Sequence, residues 1–175
     1  MDVFKTNLEG VLLIKPDIFE DFRGSYIETY NEKLYKEHGI HVKFLQDDIS
    51  TSTKNVLRGI HGDTETWKLI SCLRGRIYAV IINCDKDSEN FGKWQSFTLS
   101  DTNRYQVLVP PKFGTSHLVL SDEAIFYYKQ STYYDPEILK QFTYRYDEPR
   151  FSIWWPIKNP ILSKRDENDV SSVTA

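Results

Sequence analysis

The chain has 175 residues, of which 40% are hydrophobic and 27% are charged, and its formal net charge at pH 7 is −3. This length and composition predict one globular domain, and the slightly negative charge argues against a nucleic-acid partner. No apolar run approaches the roughly 20 residues that a membrane-spanning helix needs, so we expect no membrane segment.

Taken in chain order, short segments rich in Tyr, Phe, Ile and Val alternate with turn-forming residues, a pattern typical of β-strands. The predicted strands cover residues 11–16, 23–30, 42–50, 55–61, 67–73, 76–84, 94–100, 105–110, 116–121 and 124–132. One helix is predicted over residues 31–39, because this segment ends in Gly39 as helices often do. The segments LRGR and LSDEA are predicted to be hairpin turns. Many short strands and almost no helix predict an all-β protein, a cupin-type double-stranded β-helix (jelly roll) with few short helices.

The chain ends and the cysteines indicate the domain limits and the cellular location. We predict a single domain over residues 1–168 and a flexible C-terminal tail over residues 169–175, because DENDVSSVTA has the composition of a frayed end. The N-terminal segment lacks the apolar core and the small-residue cleavage site of a signal peptide. Cys72 and Cys84 are lone thiols without CxxC spacing, which predicts reduced core residues in a cytoplasmic protein.

A metal site is the first chemistry to consider, since many cupins bind a metal through a His-x-His motif, a carboxylate and a later histidine. Here His61 is followed by Gly62 and Asp63, so the second histidine of the motif is missing. Glu65 and His117 could still complete a sparse divalent-metal site. Because the motif is incomplete, we predict no metal and no other cofactor.

Proton transfer is the alternative. A histidine oriented by a carboxylate is a competent general base near neutral pH, and an opposing tyrosine can deliver a proton from the other face of a substrate. A nearby lysine can stabilise the negative oxygen of an enolate. Such a group removes a proton next to a ketone and returns it on the other side, which is epimerisation.

The sequence resembles the dTDP-4-dehydrorhamnose 3,5-epimerase family of nucleotide-sugar enzymes over residues 3–168. The segments that carry the resemblance are DFRGSYIE, VLRGIH, LRGRIYAVIINC followed by FGKW, LVPPKFGTSHLVLSDEA, YYKQSTYYDPE and WWPIKNPILSKRD, in this order. The resemblance implies epimerisation at C3, C5 or both of a nucleotide-linked 4-keto sugar, in a surface-polysaccharide pathway. It also implies a homodimer in which an N-terminal segment passes to the partner subunit.

The resemblance also implies roles for individual residues. His61 matches the catalytic base, Asp166 the carboxylate that pairs with it, Tyr128 the tyrosine acid and Lys68 the lysine beside the sugar ketone. Tyr127, the neighbour of Tyr128, is expected on the opposite face of the strand. Residues matched to the substrate site are Arg23, which could serve the neighbouring subunit, Glu28, Gln46, Asp48, Arg58, Thr115, His117 and Tyr134.

The chain departs from the family pattern around this site. Thr115 stands where the family has a second histidine, and His117 follows two positions later, on the same strand face if the pairing is regular. Asp48 replaces an amide, and the loop between His61 and Lys68 is short. We therefore expect the same proton chemistry with an altered substrate or outcome.

Several alternatives stay open from the sequence. The nucleotide could be dTDP or GDP, since a carboxylate such as Asp48 can accept the donors of guanine. The sugar could be a hexose or a heptose, and inversion could occur at C3, C5 or both. A 3,4-ketoisomerase on the same fold is a second candidate, although such relatives tend to lack the PILSKRD segment. A non-catalytic sugar-binding cupin is a third.

Overall fold

Antiparallel strands dominate the computed structural model, which describes residues 1–135 and 140–167. The two helices of these ranges are α1 (Glu32–Glu37) and α2 (Lys164–Glu167). The strands are β1 (Asp2–Lys5), β2 (Leu12–Lys15), β3 (Phe19–Asp21), β4 (Gly24–Tyr26), β5 (Gln46–Thr53), β6 (Leu57–Asp63), β7 (Lys68–Arg74), β8 (Arg76–Asn83), β9 (Trp94–Ser100), β10 (Gln106–Val109), β11 (Phe113–Val119), β12 (Glu123–Gln130) and β13 (Gln141–Thr143).

The strands form two large sheets and a small ribbon. The six-stranded sheet has the order β1-β2-β10-β7-β12-β5, and the five-stranded sheet has the order β13-β6-β11-β8-β9. Strands β3 and β4 pair only with each other among the described strands and form the ribbon. The prediction of an all-β, cupin-type jelly roll is confirmed.

The main hydrophobic core lies between the two sheets. Ile70 and Phe126 contribute from the six-stranded sheet, and Ala79, Ile81 and Leu99 contribute from the five-stranded sheet. Side chains of a strand alternate between its two faces, so every second residue of β12 enters this space. The core therefore fixes which residues of each strand can reach a cavity between the sheets.

The outer faces of both sheets are also covered. Helix α1 places Tyr35 against Leu69 and Leu108 on the outside of the six-stranded sheet. Residues of the C-terminal part, among them Tyr144 and Phe151, cover the outside of the five-stranded sheet. Burial on both faces explains why β8 and β10 have apolar residues at consecutive positions.

The prediction that LRGR and LSDEA are hairpin turns is wrong. The LRGR turn leads from β7 in one sheet to β8 in the other, and LSDEA leads from β11 to β12 in the same way. The two crossings pack against each other at Gly75, where a Cβ atom would lie 2.1 Å from the carbonyl oxygen of Glu123. Gly75 also has a φ of +76°, which glycine adopts readily. Turn composition depends on local backbone angles, so it does not reveal which sheet the next strand joins.

Other predicted elements differ mainly at their limits. The predicted helix is present as α1, whose N-cap Asn31 accepts a hydrogen bond from the Leu34 backbone N–H, and Gly39 follows with a φ of +80°. The strand predicted at 23–30 is reduced to β4. Strands β1, β3 and β13 were not predicted, because segments of three or four residues carry too little alternation.

Two further predictions concern the C-terminal tail and membrane-spanning segments. The predicted tail over residues 169–175 lies outside the described residues. Neither helix in the described ranges is long and apolar enough to cross a membrane.

Candidate active site

A cavity of about 480 Å³ lies between the sheets and receives side chains from both of them. Strands β5, β7 and β12 form one wall, β6 and β11 form the opposite wall, and the segment around α2 closes one side. Most of the predicted site residues line this cavity, namely Asp48, Arg58, His61, Lys68, Thr115, His117, Tyr128, Tyr134 and Asp166. The fold thus brings together residues that are more than 100 positions apart, such as His61 and Asp166.

The closest polar contact in the cavity joins His61 and Asp166. The Nε2 atom of His61 lies 2.6 Å from Oδ1 of Asp166. The other carboxylate oxygen accepts a hydrogen bond of 3.0 Å from the Ser163 hydroxyl. Burial raises the pKa of Asp166, but the hydrogen bond and charge of His61, together with Ser163 and the Gly59 backbone N–H, outweigh it and leave this pKa below 3.8. Asp166 is therefore ionised at neutral pH and accepts from His61.

This hydrogen bond sets the tautomer of His61. With Nε2–H donating to the carboxylate, Nδ1 carries the free lone pair and has no hydrogen-bond partner among the described residues. The His61 side chain is 31% exposed, whereas that of Asp166 is only 3% exposed. His61 therefore has the geometry of a general base: Nδ1 can reach a substrate, while Nε2 is held by the buried carboxylate of Asp166.

The C-terminal segment reaches His61 because it is anchored beside β6. The Leu57 backbone N–H donates to Ile161 at 3.0 Å, and the Ile161 N–H donates to Asn55 at 2.8 Å. These two bonds form an isolated parallel bridge next to the start of β6. Helix α2 begins three residues after this bridge and places Asp166 against His61.

Tyr128 faces His61 from the opposite wall. It lies on β12 in the six-stranded sheet, whereas His61 lies on β6 in the five-stranded sheet. Tyr127 points to the other side, where its hydroxyl donates to Asp47 at 3.0 Å. Tyr128, and not its neighbour, therefore lines the cavity on the wall opposite His61.

Lys68 is the first residue of β7 and also lines the cavity. Burial lowers the pKa of its ammonium group, the negative charge of Asp63 opposes this effect, and the positive charge of Arg165 adds to it. No salt bridge joins Lys68 to any described carboxylate, so its amino group is available to contact a substrate oxygen.

A chain of hydrogen bonds lies behind Tyr128. Gln46 lies just outside the cavity and donates its side-chain amide to Asp48 at 2.9 and 3.2 Å. The Gln46 side-chain oxygen accepts from the Tyr134 backbone N–H at 2.9 Å. Asp48 is the cross-strand partner of Tyr128, and both side chains line the cavity. Gln46 thus holds a carboxylate on the strand beside the predicted acid and is bonded to the following loop.

The wall that contains Thr115 and His117 has an irregular pairing. Thr115 pairs with His61 and His117 with Arg58, so two residues of β6 lie opposite one of β11 between these pairs, a β-bulge. The expectation of a shared face nevertheless holds, because pairing with β8 is regular and both residues line the cavity. The Thr115 hydroxyl donates to the His61 carbonyl at 3.3 Å.

His117 is a buried and neutral histidine. Its ring stacks on Phe126 with a centroid distance of 4.2 Å, and its Nε2 atom has no partner among the described residues. Burial, helped by the positive charge of Arg58, lowers its pKa from 6.5 to about 3. Arg58 itself is exposed and donates from Nε to the Ser52 hydroxyl at 2.9 Å.

Two predicted residues lie away from this cavity. Arg23 lies in the β3–β4 ribbon, is 77% exposed at its side chain and pairs with Asp21. Glu28 is exposed and accepts from the Asn31 side chain at 3.0 Å. Neither side chain reaches the cavity of its own chain.

The cavity also contains polar residues that the sequence reasoning did not select, notably Asp63, Gln130 and Arg165. Gln130 is buried, and its amide nitrogen has no partner among the described residues. Asp63 lies two positions after His61 and Gln130 two positions after Tyr128. The two-residue period of a strand could therefore have identified both.

The structure also shows where the residues considered for a metal site, and the glycine after His61, lie. In the described ranges, no group of three or more His, Cys, Asp or Glu side chains is placed to hold a metal ion. Glu65 is exposed and does not line the cavity. The position beside Gly62 is filled by Phe142, whose ring would lie 2.4 Å from a Cβ atom on that glycine.

Comparison with known proteins gives consistent matches over almost the whole chain. The family model described as dTDP-4-dehydrorhamnose 3,5-epimerase matches residues 5–172. A protein of that name from Shigella flexneri is 38% identical, with 100% of this chain and 98% of the relative covered.

Solved structures agree with this match. The dTDP-6-deoxy-D-glucose-3,5-epimerase of Legionella pneumophila, solved with dTDP-4-keto-L-rhamnose, superposes with a TM-score of 0.89 at 35% identity, covering 95% of this chain and 89% of that one. A 3'-monoepimerase from Streptomyces bikiniensis, solved with dTDP-quinovose, has a TM-score of 0.86 at 28% identity, covering 94% and 84%. The chain is thus similar both to an enzyme named as a 3,5-epimerase and to one named as a 3'-monoepimerase.

Proposed function

The chain belongs to the dTDP-4-dehydrorhamnose 3,5-epimerase family, a family of isomerases, and from this premise we propose that it epimerises C3, C5 or both of a nucleotide-linked 4-keto-6-deoxy sugar. The observation that carries the proposal is the His61–Asp166 pair on one wall of a cavity, with Tyr128 on the other wall. The dTDP sugars bound by the Legionella and Streptomyces relatives make dTDP the first nucleotide to test.

The proposed reaction needs only the residues of this cavity. Nδ1 of His61 removes the proton from a carbon next to the C4 ketone, and the C–H electrons move into the carbonyl to form an enolate. The Lys68 ammonium stabilises the enolate oxygen, and Asp166 stabilises the imidazolium. The Tyr128 hydroxyl then donates its proton to the opposite face of the same carbon, which inverts the centre. Exchange with solvent restores the proton on Tyr128 and removes the one on His61.

The test is incubation with dTDP- and GDP-linked 4-keto sugars in D2O, followed by NMR of C3 and C5. Deuterium at one or both carbons, with inversion, is the expected result. His61→Asn should nearly abolish deuterium incorporation, whereas Tyr128→Phe should impair inversion more than incorporation. General acids and bases typically contribute about 10²–10⁴-fold, so both losses should be measurable. Inversion at the wild-type rate by Tyr128→Phe would show that the acid is assigned wrongly.

The same experiment distinguishes the alternatives left by the sequence. Incorporation at C3 alone would assign the outcome named for the Streptomyces relative, whereas movement of the ketone to C3 would indicate a 3,4-ketoisomerase. The absence of any exchange with all substrates would favour a sugar-binding role. Asp48 gives little support to GDP, because both of its carboxylate oxygens already accept from the Gln46 amide. Heptose substrates belong among the sugars tested.

We also propose a homodimer in which Arg23 serves the site of the neighbouring subunit. The β3–β4 ribbon exposes Phe19 at 61%, Phe22 at 99% and Tyr26 at 69%, an unusual apolar exposure for a surface that stays in water. Arg23 lies in this ribbon and outside its own cavity. Light scattering that shows a stable monomer at micromolar concentration would contradict the dimer.

A mixed dimer tests the exchange of Arg23 directly. Arg23→Ala and His61→Asn subunits are co-expressed with different tags, and the heterodimer is purified. If Arg23 serves the neighbouring site, one site of the heterodimer contains an intact His61 and an intact Arg23, so activity returns. If Arg23 serves its own subunit, both sites are defective and activity stays at the level of the single variants.

The setting of this activity is the last part of the proposal. Nucleotide-linked 4-keto sugars are intermediates of surface-polysaccharide synthesis, and we place the enzyme in such a pathway in the cytoplasm. The two cysteines, Cys72 and Cys84, are buried and unpaired, which is consistent with a reducing compartment.

A further inference from the structure

Asp48 and Tyr128 are direct neighbours across the β5–β12 pair. Their Cα positions are partners in the antiparallel register, and both side chains line the cavity. Gln46 fixes the Asp48 carboxylate beside this strand position. We propose that Asp48 is a positioning residue for the reprotonation step: its carboxylate, held across the strand pair from Tyr128, hinders the transfer of the tyrosine proton to the substrate. This inference rests on the proposed epimerase function.

Gln46 keeps Asp48 in this position. Its amide donates to both carboxylate oxygens, at 2.9 and 3.2 Å, while its own oxygen is bonded to the Tyr134 backbone. The Asp48 side chain is thus fixed on one side by Gln46 and is left with acceptor capacity toward Tyr128. An amide at position 48 would present a neutral group to the phenol at the same place.

The charge of Asp48 has a direct chemical effect on Tyr128. Burial is the largest cause that raises the pKa of Tyr128 to about 12, and the nearby Asp48 carboxylate comes next, followed by Tyr134. A phenolate formed beside a carboxylate is disfavoured, so the phenol is a weaker acid than one beside an amide. The enolate would then regain its proton more often from the His61 side, which retains the starting configuration.

The other charged groups of the cavity do not replace Asp48 in this role. Lys68 lies on the same sheet as Tyr128, and the remaining groups belong to the opposite wall, the α2 segment or the loop after β12. These titratable or charged residues are Arg58, His61, Asp63, Lys68, His117, Tyr134, Arg165 and Asp166. Of these groups, Tyr134 is the one whose charge, like that of Asp48, raises the pKa of Tyr128.

The test compares the wild type with Asp48→Asn, which preserves the shape of the side chain, and with Asp48→Glu, which preserves its charge. The matched control is Asp47→Asn, because Asp47 lies on the opposite face of β5 and contacts Lys129 and Tyr127. The first measurement is the 13Cζ resonance of Tyr128 in labelled free enzyme, assigned with Tyr128→Phe. An ordinary tyrosine is about three-quarters ionised at pH 10.5.

At pH 10.5 we expect Tyr128 to be largely un-ionised in the wild type, Asp48→Glu and Asp47→Asn, and measurably more ionised in Asp48→Asn, where burial alone still holds its pKa above that of an ordinary tyrosine. The second measurement is the ratio of inversion to deuterium incorporation, which should rise about 3- to 10-fold in Asp48→Asn alone. An unchanged Tyr128 titration in Asp48→Asn would overturn the inference, and so would a changed titration with an unchanged ratio. The titration needs no substrate, so failure of the epimerase proposal would be recognised separately, by the lack of exchange in the wild type.

Discussion

Mild acid should destabilise this fold through His117. Burial in the core and the nearby charge of Arg58 lower the pKa of His117 from 6.5 to about 3. The unfolded chain therefore binds this proton at a higher pH than the folded protein does. The stabilising contribution is complete above pH 6.5 and is lost progressively as the pH falls toward 3.

The size of the effect follows from the difference in protonation. At pH 5.0 an unfolded histidine of pKa 6.5 is almost fully protonated, whereas folded His117 remains neutral. The free energy of unfolding should consequently fall by about 2 kcal/mol between pH 7.5 and pH 5.0. Asp166 contributes almost nothing in this interval, because its pKa is lowered from 3.8 and it is ionised in both states.

Urea denaturation at the two pH values, at equal protein concentration, measures this effect. His117→Gln removes the titrating group, so its free energy of unfolding should fall by about 2 kcal/mol less than that of the wild type over the same interval. Contributions of the other histidines cancel in this comparison. His41→Gln, which changes an exposed histidine, is the matched control and should follow the wild type. Equal pH dependence in the wild type and His117→Gln would refute the reasoning.

Three further expectations concern the dyad, a corner of the fold and metal dependence. Asp166→Asn should lower the initial rate of deuterium incorporation by about 10²–10⁴-fold with little change in the circular dichroism spectrum, because an amide can hold His61 in the wrong tautomer; a rate near that of the wild type would argue against the dyad. Gly75→Ala should lower the free energy of unfolding by about 2 kcal/mol or more in urea titrations, because its Cβ would lie 2.1 Å from a carbonyl oxygen; a smaller loss would show that the two crossings can separate. Turnover should survive chelation with EDTA, and loss of activity that one divalent ion restores would instead indicate His61, Glu65 and His117 as ligands.

Strand composition and spacing predicted the fold class, whereas the family resemblance supplied the predicted site residues that line the cavity. Alternation along β12 separates Tyr127 from Tyr128, and the structure places them on opposite faces. Alternation cannot tell which sheet a strand joins, so the prediction of a hairpin at Gly75 is wrong.

Long-range placement sets the other limit. The pairing of Asp166 with His61 was implied only by the family resemblance, because no local pattern connects a helix of four residues to a distant strand. The position of Arg23 outside the cavity depends on how the ribbon leaves the sheets, which no short pattern records. Gln130 could have been found from its spacing to Tyr128, but its missing partner is a property of the packed interior.

The short bridge between Ile161 and β6 makes the order of synthesis relevant to activity. All strands of both sheets leave the ribosome before Ile161. The two sheets can therefore pair while His61 still lacks its carboxylate partner, Asp166. We expect the chain to become competent for proton transfer only when residues 161–167 dock and bring Asp166 to His61. A proteolytic cut ahead of Ile161 should therefore stop proton transfer, because it separates Asp166 from the strand that carries His61.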